Sequence, residues 1–433
     1  MPIYVLGNNN CLLISFRAAL PVFIKRKFQC MVDRKNATAF YFVHLAKLNM
    51  KSNNIGQLSL AVTAVCLVGF TTSLPANAAT LYNVLDLSIA GSPTSATGIN
   101  DLGQVIGTTE LSSRGGRYSF RTAPNSPINL ATDIVSPGDE DGLPGSDSVP
   151  TDINNSGQVV GSSFSAGFIT EPNGSTTLPE AYGFPFNRPA AINDLGQVTG
   201  TSSSGSRAVI TTSDGGDPVV DLGTLGGSNS FGRGINNLGQ VVGASETANG
   251  QIHGFRTAAN SVINVATDDL GTLGGNFCSA IDINDLGQTV GFSTTASGET
   301  HAFLTDANSA IDAEDDLGTL GGNFSIAYSI NESGLVVGDS KLADGSDRAF
   351  IYDGTELFDL NTLVAGDFDF VLTSARGINE NGQIAATGFF ADTQTTRAFL
   401  LTPVPEPTSM LGVLAFGAAG FLRTRAAKRK VRA

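Results

Sequence analysis

The chain has 433 residues, with 51 glycines, 4 cysteines, no tryptophan and a formal net charge of −14. With 41% apolar and only 15% charged residues it can build a buried core, which excludes a disordered polyelectrolyte, and its length admits two or three domains. The cysteines at 11, 30, 66 and 278 form no CxxC pair, which excludes a disulfide scaffold and a cysteine zinc site, and three histidines leave little for histidine-based chemistry.

The charge is uneven. Residues 1–79 carry eight Lys/Arg and one acid, residues from 403 onward carry six and one, and the segment 80–402 carries 11 Lys/Arg against 37 Asp/Glu. At −26, this middle segment repels DNA and RNA and argues against a nucleic-acid partner. An anionic polymer could be held only through cations or neutral contacts.

In chain order, residues 1–49 are basic and aromatic and resemble nothing downstream; they read as an extension from an upstream start, with Met50 as the start of the functional chain. Met50-Lys51 opens a positive n-region, and Leu58 to Phe70 is an apolar run of thirteen, short for a membrane span and suited to a signal-peptide h-region. Ala76-Asn77-Ala78 has the small-x-small pattern of signal-peptidase cleavage, so 50–78 is expected to be a signal peptide cleaved after Ala78. A lipoprotein would need a small residue before Cys66, where Val65 stands.

Residues 79–402 repeat one unit. A core of the form Ile-Asn-x-x-Gly-Gln-Val-x-Gly recurs seven times, with its asparagine at Asn100, Asn154, Asn193, Asn236, Asn284, Asn331 and Asn379, a mean spacing of 46.5 residues. The glycine three positions on is Gly103, Gly157, Gly196, Gly239, Gly287, Gly334 and Gly382. Asparagine caps its own turn, and glycine suits the left-handed position of a type I turn with a bulge, so each core is expected to be a β-hairpin with these fourteen residues in structural turn positions. A third short strand follows, as in Tyr118–Thr122 or His301–Thr305, and then Asp-Leu-Gly-Thr-Leu-Gly-Gly at 221–227, 269–275 and 316–322, with weaker forms at Asp86 and Asp359.

Four short strands in a period near 47 predict an all-β fold, a seven-bladed β-propeller. The segment 80–89 fits the fourth-strand slot and the repeats end on a third strand, so the first segment is expected to complete the last blade and leave no exposed edge. The alternative is a β-solenoid, which needs no such permuted ends.

The tail, 403–433, has three parts: the motif Val404-Pro405-Glu406-Pro407, an apolar stretch 408–422 expected to be a single hydrophobic helix, and a basic end 423–433. Fifteen helical residues span roughly 22 Å, short of the roughly 30 Å hydrocarbon core. The basic end would stay cytoplasmic, with the bulk of the chain outside. Pro405, Glu406 and Pro407, then the apolar stretch, then the arginine/lysine cluster resemble the PEP-CTERM sorting signal of Gram-negative bacteria. The resemblance implies processing by an exosortase, at least transient membrane attachment, and delivery to the cell surface or an exopolysaccharide matrix; a plain C-terminal anchor is the alternative. His301-Ala302-Phe303, the Asp-Leu-Gly-Thr-Leu-Gly-Gly elements and the Ile-Asn-x-x-Gly-Gln cores resemble the HAF-repeat extracellular proteins, a family without an agreed activity.

Few residues offer chemistry. His253 and His301 share a repeat slot with Arg348 and Arg397, which points to a long polar side chain bonding a neighbouring carboxylate or carbonyl. Cys278, aligned with Gly232 and Ser325, reads as a packed thiol. The repeated acids Asp86, Asp221, Asp269, Asp316 and Asp359 occupy like environments, whereas a catalytic carboxylate pair needs unlike ones; they read as structural, with calcium binding as the functional alternative. No catalytic residue, metal ligand or resident cofactor is assigned. The sequence thus points to a non-enzymatic surface or matrix module, with exosortase and signal peptidase as processing partners and exopolysaccharide or a surface protein as ligand. The alternatives are a calcium-dependent adhesin and a glycan-active enzyme, whose residues would be acids outside the repeat such as Asp139, Glu140, Asp141, Glu171 or Glu180.

Overall fold

A computed structural model describes residues 80–404, apart from position 90, the stretches 112–114, 137–146, 164–165, 174–187, 203–205 and 212–218, and position 367, together with the backbone of four strands nearer the N-terminus. The chain divides into two compact units, Met1–Ser73 and Leu74–Ala433. In the first, Tyr4–Asn8, Cys11–Phe16, Phe28–Asp33 and Thr38–Tyr41 form an antiparallel sheet in chain order. The expected signal segment 50–78, Ala76 and Ala78 included, lies outside the described residues, as do Pro405, Glu406, Pro407, the expected helix 408–422 and the basic end. Among the described residues no helix is long and apolar enough to cross a membrane.

The second unit is all-β and propeller-like. Among the described residues, seven strands run into the seven asparagine turns: Thr94–Ile99, Ser148–Ile153, Arg188–Ile192, Gly226–Ile235, Gly274–Ile283, Gly321–Ile330 and Val371–Ile378. Each pairs antiparallel with the strand after its turn, as Ile235 pairs with Val241 and Ser230 with Ser245. That second strand pairs with a third, as Gly243 with Phe255. A short fourth strand follows in several copies, such as Asp269–Gly271. In the first copy a single bridge between Phe120 and Ile134 stands in its place.

The chain closes on itself as its ends predict. Tyr82–Asp86 pairs antiparallel with Thr395–Pro403, from Phe399 opposite Asp86 to Pro403 opposite Tyr82. The strand nearest the start of the repeats thereby becomes the fourth strand of the last copy, and two edges that would otherwise be open are consumed.

Two glycines per copy explain why the core reads as it does. The glycines of the turns all have positive φ, from +70° at Gly382 to +79° at Gly157, Gly287 and Gly334, and Gly239 N–H donates to the Asn236 carbonyl at 3.0 Å. This is the expected type I turn with a left-handed glycine. The later glycine has a different cause. A Cβ on Gly243 would meet the Phe231 carbonyl and the Phe255 ring. The first strand bulges inward there, since its register shifts between Gly232 and Gly234, and only a bare backbone fits beneath it.

The phenylalanine of the third strand fills the interior of every copy but the third, where Val209 stands in its place. Phe120, Phe255, Phe303, Phe350 and Phe399 are at most 1% exposed. Burying such a side chain is worth about 1.5–3 kcal/mol, so these rings anchor the sheets on one another.

Candidate functional site: the central channel and its collar

The seven asparagines do more than cap their own turns. Each side chain accepts the backbone N–H four residues on, as Asn236 Oδ1 does from Gln240 at 2.9 Å. Each Nδ2 also donates to the carbonyl of the next copy's asparagine: Asn100 to Asn154, Asn154 to Asn193, Asn193 to Asn236, Asn236 to Asn284, Asn284 to Asn331, and Asn331 to Asn379, at 3.0–3.2 Å. Asn379 then donates to the Asn100 carbonyl at 2.9 Å, and the ring is closed.

A second ring lies on the first. The residue after each asparagine donates its N–H to the side chain of its counterpart in the next copy, in the order Asp101, Asn155, Asp194, Asn237, Asp285, Glu332, Glu380 and back to Asp101. Five of these seven side chains are acidic, so the mouth carries a negative collar. Burial raises the Glu380 carboxyl above its usual range, and Asp101, Glu332 and Asp285 push the same way, against the N–H it accepts from Glu332. Leu102, Leu195, Leu238 and Leu286, one residue further on, stand 47–58% exposed around the collar.

Inside the mouth, the first strands enclose a cavity of about 670 Å³. Its wall is where the copies differ. The residue three before each asparagine is Thr97, Thr151, Ala190, Arg233, Ile281, Tyr328 or Arg376, and all seven face the cavity. Arg188, Phe231 and Phe292 also line it. Arg376 stacks on Tyr328 with its guanidinium carbon 3.8 Å from the ring centre and sits 3.8 Å from Asp339. Burial pushes the Tyr328 hydroxyl up to about 12 and the Asp339 carboxyl up to about 6, the latter against the pull of Arg376.

Two further carboxyls in the wall stitch neighbouring copies together. Asp152 accepts N–H groups from Ile153 at 2.8 Å and Ile192 at 2.9 Å; Asp282 does the same with Ile283 at 2.8 Å and Ile330 at 3.0 Å. Burial nevertheless pushes Asp152 up to about 7 and Asp282 up to about 6.

The fourteen predicted turn residues all lie at the channel's collar end, where the structural role expected of them is joined by contacts between copies. Away from the channel, the His/Arg slot pairs as expected with the repeated aspartates. His253 Nδ1 lies 2.8 Å from Asp269 and His301 Nδ1 2.9 Å from Asp316, while Arg207, Arg348 and Arg397 stand 3.9, 3.5 and 3.2 Å from Asp221, Asp359 and Asp86. Each aspartate also accepts an N–H two residues on, as Asp269 does from Gly271 at 2.8 Å.

Cys278 needs one correction. It pairs with Ser293 as Ser230 pairs with Ser245, so its counterpart is Ser230 rather than Gly232. The slot holds a small polar group against the third strand of the preceding copy: the Ala208 N–H donates to Ser230 at 2.9 Å, and burial pushes the Cys278 thiol up to about 12. A thiol held so far from ionisation is packed and inert.

Of the blade-unique acids, Glu171 is exposed on the connection after the third strand of the second copy, outside the channel wall; Asp139, Glu140, Asp141 and Glu180 lie outside the described residues. Among the described residues, no group of three or more His, Cys, Asp or Glu is arranged to hold a metal ion. The sequence reading missed the channel residues Arg188, Arg233, Tyr328 and Arg376. For Arg233, Tyr328 and Arg376 a signal was there, as a slot three before the asparagine that takes five residue types in seven copies; Arg188, five before Asn193, had none.

A family model described as "Protein of unknown function (DUF3466)" matches residues 258–401, less than half the chain. No curated protein matches the sequence. Among solved structures, the chain is similar to a sialidase of Trypanosoma rangeli in complex with the inhibitor DANA (10% identity, TM-score 0.36, covering 78% of this chain and 57% of that one). It is similar to an acylaminoacyl peptidase of Pyrococcus horikoshii (11%, TM-score 0.41, 74% and 53%) and to a six-bladed β-propeller fucose lectin of Aleuria aurantia (10%, TM-score 0.34, 75% and 99%). The chain thus spans little more than half the length of the sialidase and of the peptidase.

Proposed function

We propose that the second unit is a seven-bladed β-propeller acting as a non-enzymatic binding module of the cell surface or exopolysaccharide matrix, with its ligand site in the central channel. The observation that carries the reading is the contrast within each copy. The turn asparagine and glycine repeat in all seven copies, while the channel-facing position three before each asparagine carries five residue types: threonine, alanine, arginine, isoleucine and tyrosine. A scaffold whose turns repeat while its enclosed wall varies carries part of its individuality where a ligand would be read. The addresses support the same reading: the signal-peptide pattern ending at Ala78 and the Pro405-Glu406-Pro407 tail suit export, cleavage by signal peptidase and exosortase, and release to the outer surface.

The test is the intact mass and location of the protein made with and without its exosortase, followed by retention on the matrix polysaccharide. A species starting near Ala79 and ending near residues 404–407, outside the cell only when exosortase is present and retained by the polysaccharide, is expected. An uncleaved species in the membrane of both hosts would overturn the sorting part, and cleavage of the polysaccharide by the purified protein would overturn the non-enzymatic part.

A further inference from the structure

We infer that the channel is selective for an acidic sugar: the Arg188 and Arg233 guanidiniums take the carboxylate of a uronic-acid unit, and the aromatic wall of Phe231, Phe292 and Tyr328 takes its ring. This rests on the channel being the ligand site, and deepens that reading by naming the ligand's chemistry.

The argument is one of unspent charge. Most of the described cations of this acidic unit are committed. Arg207, Arg348 and Arg397 pair with the outer aspartates, Lys341 with Asp347 at 2.7 Å, and Arg256 donates to the Ser309 carbonyl at 2.9 Å. Arg376, in the channel, has its stack on Tyr328, its Asp339 neighbour and a bond from Nε to the Ser374 hydroxyl at 2.9 Å. Arg188 and Arg233 line the same cavity with no side-chain hydrogen bond or ion pair among the described residues, and both are exposed. Burial lowers the Arg233 pKa and the positive Arg188 nearby lowers it further, as expected of two cations that share one space.

Asp152 and Asp282, in the same wall, are held elsewhere. Each has both oxygens committed to backbone N–H groups between copies, which leaves neither in an ion pair with the two arginines. What remains is two planar forks without an ion-pair partner among the described residues, in a cavity of about 670 Å³ whose lining includes Phe231, Phe292 and Tyr328. Guanidinium forks match a carboxylate in two bonds, and cavities of about 300–1,000 Å³ take small ligands. An inorganic oxyanion has no use for the aromatic wall, and a neutral sugar has none for the uncompensated forks. The body, at −26, repels an anionic chain elsewhere, so the contact is confined to the unit that enters the channel.

The experiment is calorimetric titration of the purified full chain with three probes: a triglucuronate, the same trisaccharide with its carboxyls reduced to alcohols, and sodium phosphate. The triglucuronate is expected to bind at least tenfold more tightly than its reduced form and than phosphate. Arg233→Gln and Arg188→Gln should each lose tenfold or more with melting temperature unchanged, because neither side chain holds the fold together. Arg233→Lys should recover only part of the loss, and Arg207→Gln, on the outer slot away from the cavity, should keep the parent's affinity. Equal binding of the acidic and reduced sugars would overturn the inference while leaving a channel lectin standing. Phosphate binding as tightly as triglucuronate would reduce the site to a simple anion site and overturn the sugar assignment. Binding of the matrix polysaccharide that survives both arginine variants would also overturn it, and no binding of any saccharide would overturn the channel reading itself.

Discussion

Replacing Asn236 with alanine tests whether the ring of asparagines holds the unit closed. The side chain is 4% exposed and makes four hydrogen bonds. Its Nδ2 donates to Gln240 Oε1 at 2.9 Å and to the Asn284 carbonyl at 3.0 Å, and its Oδ1 accepts from Leu238 at 3.2 Å and Gln240 at 2.9 Å. A buried hydrogen bond contributes about 1 kcal/mol net, and an orphaned partner costs about 1–3 kcal/mol. The open mouth lets water reach some of the orphans, so the expected loss is about 2–4 kcal/mol, a large share of the roughly 5–15 kcal/mol that stabilises a typical domain. Asn236→Asp should cost at least as much at neutral pH, because it turns a carboxylate oxygen toward two acceptors. With no tryptophan in the chain, urea unfolding is best followed by far-ultraviolet circular dichroism. A loss below about 0.5 kcal/mol for alanine, or an aspartate as well tolerated as asparagine, would refute the idea that these bonds tie the copies together.

Gly243→Ala and Gly250→Ala separate two kinds of glycine. Gly250 has φ +79° with nothing within 4 Å of a new Cβ, so alanine should cost about 1 kcal/mol, whereas at Gly243 it meets the Phe231 carbonyl and should lower the melting temperature several times as much. Asp152→Ser, which copies the residue at the equivalent Ser329, should flatten the pH dependence of stability. Native Asp152, pushed up to about 7, keeps a proton that the unfolded chain releases near 4, so the parent should lose stability as pH rises from about 4 to 7; an unchanged slope of urea midpoints across that window would count against it. Tyr82→Ala removes a side chain 1% exposed from the closing strand and should cost about 3–5 kcal/mol in the same urea assay, and a loss near that of an exposed site would mean the strand is dispensable.

The elements legible in the sequence are those that local backbone chemistry dictates. Asn236 and Gly239 announce a turn because few other residues cap and fold it, and the permuted ends announce Tyr82–Asp86 as the missing strand. The slot holding His253 and Arg348 announces a polar partner in a similar way, since an aspartate recurs after it, 16 residues on at Asp269 and 11 at Asp359. Reach across copies is not local, and so the donation from Asn236 to Asn284 left no mark that a turn alone would not leave. The channel residues escaped for the opposite cause. Arg233 and Tyr328 belong to no motif, and it takes the fold to show that Thr97, Arg233 and Tyr328 face one space. The equivalence of Cys278 with Ser230 was legible all the same, since each stands six residues before its turn asparagine and the bulge falls at the same place in both strands.

The closing pair of strands has a mechanical consequence. Val404 N–H bonds to the Leu81 carbonyl at 2.8 Å, so the chain leaves the sheet beside its own first strand. Any pull on the residues after Val404 runs along Thr395–Pro403, which is gripped on one side by Ile384–Phe390 and on the other by Tyr82–Asp86. Tension in that direction must slide the strand lengthwise and break many bonds together, not peel them one at a time. Under tension along that strand the unit would hold as a seat belt does, with the strap stitched into the buckle on both edges.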